Sequence, residues 1–332
     1  MALSHPLGVV YASVPDLLRL LALPAFAWGA YRDVETRRVP DRLWPPLLLL
    51  GVGCLAWQGW TVLGTADPFA RYAFGVRVAA SLLVVGGLGV AFYVVPLGFG
   101  GADAKALVAI AVLLPTYPTY YLGRVVLPLA PSNVRIFSLT VLTNALLLGL
   151  AYPVYLTCAN VLRGRIDPLM AVGQRVPVAD LEGVHGSLLE DADGRRFTGG
   201  LDLDALRMYC RWRGVSLADL RRDASLRDPA TLPDEPNDPT DGVVYADGGE
   251  TAATVATDDD PWGAAAFLDD IEGSAYGTTP ATLRAGLDLI TEREAVWVTP
   301  GTPFFVSLAL GLLVAFTYGD VLFAILGLVG LH

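Results

Sequence analysis

The chain has 332 residues, 54% of them hydrophobic, a mean hydropathy of +0.50 and a formal net charge of −10. The acidity is local: residues 163–300 hold 13 Arg, no Lys and 26 Asp plus Glu, while the remainder holds 10 basic and 7 acidic residues. That balance argues against a nucleic-acid binder, which needs a basic footprint to neutralise phosphates. Three Cys without a CxxC spacing and three scattered His argue against a disulfide framework or a metal site.

A helix needs about 20 mostly apolar residues to cross a bilayer, and six stretches qualify, from about Leu7 to Tyr31, Trp44 to Gly64, Ala73 to Pro96, Ala104 to Tyr121, Val134 to Leu156 and Phe304 to Leu331. The first has no basic start and no small-residue cleavage site, and it contains Asp16 and Arg19, so it reads as a retained span. Arg32, Arg37, Arg38 and Arg42 crowd the loop after it, and Arg163 and Arg165 follow the fifth span. By the positive-inside rule these loops are cytoplasmic and the N-terminus lies outside. The expected fold is therefore an α-helical polytopic membrane protein, with residues 1–162 forming five spans and 301–332 the sixth.

Residues 163–300 then form a cytoplasmic insertion. Gln174 to Phe197 alternates apolar and polar residues like strand, and Asp202 to Arg213 opens acidic and ends basic like helix. A small α+β module is expected over 163–222. Residues 223–262 are rich in Asp, Pro, Gly and Thr and poor in large apolar side chains, which predicts a disordered linker. Residues 263–300 read as a helical return to the membrane. An acidic surface with a single Lys, Lys105, among 23 basic residues points to a halophilic source, where salt screens the repulsion.

Ionisable residues near membrane depth must be paired, hydrated or used. Asp16 and Arg19 stand three apart and compensate one another. Arg77 is placed to snorkel to the outer headgroups, and Asp320, after Gly319, either faces a polar cavity or caps a kink, the structural reading being preferred. Asp33 and Asp103 differ, because the topology puts both at the cytoplasmic face, Asp33 ending the first span and Asp103 opening the fourth. Helices of one bundle can bring two such carboxylates together to share a proton.

Around these acids the sequence reads Asp33-Val34-Glu35-Thr36-Arg37-Arg38-Val39-Pro40-Asp41 and Gly98-Phe99-Gly100-Gly101-Ala102-Asp103. The first run resembles the leading catalytic motif of the type IV prepilin peptidases, an Asp followed six residues later by Ile or Val, Pro, and then Asn or Asp. The second resembles their Gly-x-Gly-Asp motif, with Ala102 at the third place. The tail from Thr299 through Gly319-Asp320 is also similar to the family's last segment. The likeness is closest to the archaeal preflagellin and prepilin peptidases, and it leaves the acidic insertion outside.

The resemblance implies an aspartic endopeptidase in the plasma membrane, without a cofactor, in which Asp33 and Asp103 are catalytic and Val39, Pro40, Gly100, Gly101 and Ala102 support them. Its implied partners are the bilayer and membrane-embedded pilin or archaellin precursors. The competing expectation is a transporter or sensor using intramembrane Asp residues for protons or cations. The placement of both acids at a membrane face, away from the midplane where transport sites usually lie, counts against it.

Overall fold

The computed structural model describes residues 3–5, 8–36, 39–94, 101–190, 200–240, 260–271, 275–300 and 304–330. It divides into two compact units, residues 1–152 with 303–332, and Pro153–Thr302.

The first unit opens with β1 (Leu3–His5) and β2 (Gly8–Tyr11), followed by α1 (Val14–Arg19) and α2 (Ala22–Thr36). Then come α3 (Trp44–Leu63), α4 (Pro68–Ala80), a π-helical stretch Ser81–Gly86 and α5 (Gly87–Val94). Helix α6 (Gly101–Leu113), β3 (Tyr120–Leu122), β4 (Val125–Leu127) and α7 (Phe137–Leu162) complete this part, and the last turns of α7 belong to the second unit. Strands β1 to β4 pair antiparallel in chain order.

The second unit contains β5 (Gln174–Pro177), β6 (Gly186–Leu188), α8 (Leu203–Arg213), α9 (Leu217–Arg222), α10 (Ala264–Asp270), α11 (Pro280–Glu292) and β7 (Ala295–Pro300). The chain then returns to the first unit as α12 (Phe304–Thr317) and α13 (Val321–Leu328).

Among the described residues three continuous helices, Asp41–Leu63, Pro68–Val94 and Phe137–Leu162, are long and apolar enough to cross a membrane. Their outer faces show large apolar side chains such as Leu49, Leu83 and Val154, as a lipid-facing surface requires. Helix α3 buries Trp44, Leu47, Gly51 and Cys54, a spacing of three and four that marks one face. Helix α6 is buried on nearly all sides, from Ala104 through Leu113, so it is the central helix of the unit.

The other three expected spans differ from the sequence reading. The first is split between β2, α1 and α2. Pro24, third residue of α2, has no N–H for the carbonyl four residues back, so α1 cannot run on into α2. The fourth ends at Leu113, because Pro115 disfavours helix at Leu114. At 15 and 13 residues, α2 and α6 span about 22 and 20 Å, short of the ~30 Å hydrocarbon layer. The last stretch breaks at Gly319, whose φ of +108° admits glycine, and α13 restarts from an Asp320 cap.

In the second unit a three-stranded antiparallel sheet runs β5-β7-β6, pairing Val176 with Val296 and Leu188 with Val298. The expected helical return thus ends in the sheet's central strand, because Val296 and Val298 alternate inward. Helix α8 is capped by Asp202, which accepts from the Asp204 N–H, and stopped by Gly214 at φ +74°. Of the expected disordered linker, residues 223–240 instead form short turns capped by Asp223, Asp228 and Asp238. Leu226 and Leu232 anchor them to the core. Residues 241–259 lie outside the described residues.

Candidate active site

Arg19 fixes the relation between the helices that carry the two acids. It is fully buried, and its Nε donates to the carbonyl of Leu113, the last residue of α6, at 2.9 Å. Its Nη1 reaches Asp16 Oδ1 at 3.1 Å and Thr116 Oγ1 at 3.2 Å, and its Nη2 reaches Gln58 Oε1 at 2.9 Å. A buried charge needs this many partners. The end of α1, which leads into α2 three residues later, is thereby tied to the end of α6.

Asp33 is in the last turn of α2, 11 residues beyond Ala22, and Asp103 is in the first turn of α6, 10 residues before Leu113. At 1.5 Å per residue these are rises of about 16 and 15 Å along their own helices. Both residues are half-buried.

Lys105 Nζ meets Asp41 Oδ1 at 2.6 Å, joining the start of α6 to the last residue of the first motif. The sequence reading noted Lys105 as ionisable without finding its partner, which lies 64 residues away. Phe26, Trp44 and Phe305 form an aromatic cluster that locks α2, α3 and α12 together. Phe26 stacks on Phe305 at 5.3 Å, and Trp44 meets both edge-on at 6.5 and 5.9 Å.

The supporting motif residues divide by role. Val39 is buried in the core of the first unit, and Pro40 precedes the 3-10 turn Asp41–Leu43. Ala102 packs against that core. A Cβ on Gly101 would meet nothing within 4 Å among the described residues, so their packing does not demand glycine there. Gly100, like Arg37 and Arg38, lies outside the described residues.

The close approaches that do hold α6 are at Gly51 and Gly89. A Cβ on Gly51 would come within 3.0 Å of the Leu113 backbone, and one on Gly89 within 2.8 Å of the Ala104 carbonyl. Small residues at such crossings let membrane helices pack closely. Asp320 is set apart from the two acids. Its carboxylate accepts from the Phe323 N–H at 3.0 Å and from Thr140 Oγ1 at 2.7 Å, while Asn144 donates to the Gly319 carbonyl at 2.8 Å. Its role is to cap α13 and satisfy the break.

What these features define is a helical membrane protein with one acid in the last turn of α2 and another in the first turn of α6. Residues 20–154, which include both acids, match the type IV leader peptidase family. The match leaves almost all of the second unit outside. No curated protein and no solved structure matches the chain.

Proposed function

We propose that the protein is a membrane aspartic endopeptidase that removes the leader peptide of type IV pilin-like or archaellin precursors, with Asp33 and Asp103 as its catalytic pair. The observation that carries this reading is that both acids, near the end of α2 and at the start of α6, fall within the stretch that matches the leader peptidases. The loop arginines orient that end toward the cytoplasm, where a precursor's short leader stays while its apolar helix sits in the bilayer.

In the proposed reaction one carboxylate is ionised and takes a proton from water as the water oxygen adds to the scissile carbonyl carbon. The other, protonated, gives its proton to the carbonyl oxygen. Collapse of the resulting diol breaks the C–N bond: the departing amine takes the proton of the protonated carboxyl while a diol hydroxyl gives its proton to the ionised carboxylate, so the pair again shares one proton. Two adjacent carboxylates do not both ionise cheaply, so the pair titrates as a unit.

The test is co-expression with a pilin or archaellin precursor in native-like membranes, followed by the mobility of the precursor. Wild type is expected to convert it, and Asp33→Asn and Asp103→Asn each to leave it full-length. Equal maturation with both variants would end this assignment.

A further inference from the structure

In the first unit, α3, α4 and the start of α1 enclose a cavity of about 570 Å³. That size suits a small ligand or part of a larger one. Trp57, Val62, Phe69 and Phe74 supply an apolar wall, and Arg77 reaches it from α4.

Arg77 is what makes this more than an apolar gap. It stands nine residues into α4 from Pro68, about 14 Å along the helix axis, at a depth where an uncompensated charge is costly. Yet it has no hydrogen-bond or ion partner among the described residues. The neighbouring polar groups are already engaged. Gln58 Oε1 and Thr116 Oγ1 accept from Arg19, whose charge Asp16 meets, and Asp67 at the rim accepts from the Phe69 N–H at 2.9 Å. The cavity therefore offers one free guanidinium, a planar donor suited to phosphate oxygens, beside a greasy wall.

We infer that this cavity holds a membrane phospholipid, with its phosphate on Arg77 and an acyl chain along Trp57, Val62 and Phe74. The snorkelling length of arginine brings its head up toward the headgroup layer, and Trp57 and Phe69 stand exposed near the mouth, as interfacial aromatics do. Charge complementarity and the apolar wall together select an amphiphile over a free anion. This site is independent of the peptidase reading, since it uses neither acid.

The experiment is native mass spectrometry of the full chain, delipidated in detergent and titrated with dioleoyl phosphatidylglycerol. Dioleoylglycerol, which has the same tails without phosphate, and inorganic phosphate are separate arms. Wild type is expected to retain one phosphatidylglycerol. Arg77→Gln is expected to weaken it at least about tenfold, since one charged hydrogen-bonded pair is lost. Ala73→Phe, which fills the cavity and keeps Arg77, is expected to abolish retention, and Arg71→Gln, outside the wall, to leave it unchanged. The inference is overturned if dioleoylglycerol binds as tightly as phosphatidylglycerol, if inorganic phosphate displaces the lipid, or if Arg77→Gln binds like wild type. Should Arg77→Gln not fold, undiminished binding by Ala73→Phe overturns it equally.

Discussion

Lys105 and Asp41 form a short ion pair, but their side chains are 35% and 79% exposed, so the pair adds at most about 1 kcal/mol to stability. Its consequence is positional, because it ties the first turns of the Asp103 helix to the end of the Asp33 motif. Lys105→Gln is expected to slow precursor cleavage several-fold with the melting temperature nearly unchanged. The charge-reversed pair, Lys105→Asp with Asp41→Lys, is expected to recover most of the rate, and no recovery would show that the pairing has no positional role.

Asp320 makes the opposite case, a buried acid whose value is structural. Asp320→Ala removes the cap of α13 and leaves the Thr140 hydroxyl without its acceptor. A loss of about 1–3 kcal/mol is expected, read as a lower melting temperature in detergent, with Asp320→Asn losing less. At this scale the sequence was legible where partners are neighbours in a helix, as with Asp16 and Arg19. The rest of the Arg19 network was not, since Leu113 and Thr116 lie 94 and 97 residues away and no local pattern announces them.

Helix α6 is the element on which the candidate site turns, held between α3 and α5 by two close glycine crossings. At Gly89 even a methyl group would press on the Ala104 carbonyl, one residue from Asp103. Gly87, in the same helix, faces open space. Gly89→Ala is therefore expected to destabilise the protein by about 1–3 kcal/mol and to reduce cleavage, while Gly87→Ala is neutral or mildly stabilising. Equal melting temperatures for the two variants would contradict the crossing as described. Hydropathy located α3, α4 with α5, and α7 well, because long apolar runs are a strong signal. It overextended the helices bearing the two acids and the last span, because a window average does not register where Pro24, Pro115 and Gly319 stop a helix.

Each unit has its own core, and the two cores share no residue. That of the second unit draws only on residues between Val176 and Val298. Its helices α8, α9 and α11 are capped within the unit by Asp202, Ser216 and Thr279. A fragment of residues 163–300 is accordingly expected to be soluble and to unfold cooperatively, with stability rising as salt screens its excess of acids.

Its acid limit is set in part by Asp260. Burial works against this carboxylate's charge, but Arg284 at 2.7 Å and the N–H groups of Ala265 and Ala266 outweigh it and hold the group below the usual carboxylate range. A carboxyl held low in the folded state binds its proton more tightly when unfolded. Its stabilisation is thus present above about pH 4 and is lost as the pH falls through the lower folded value. Tyr209 limits the other side: burial pushes its phenol up to about 12, so the stability it lends is complete below pH 10 and drains away toward pH 12. Asp260→Asn should therefore destabilise the fragment at pH 7, and the gap to wild type should close as acid neutralises the native carboxylate. Circular dichroism melts from pH 7 down to 3 measure this directly, and a gap that stays constant with pH would show that the Arg284 pair is not what holds Asp260 ionised.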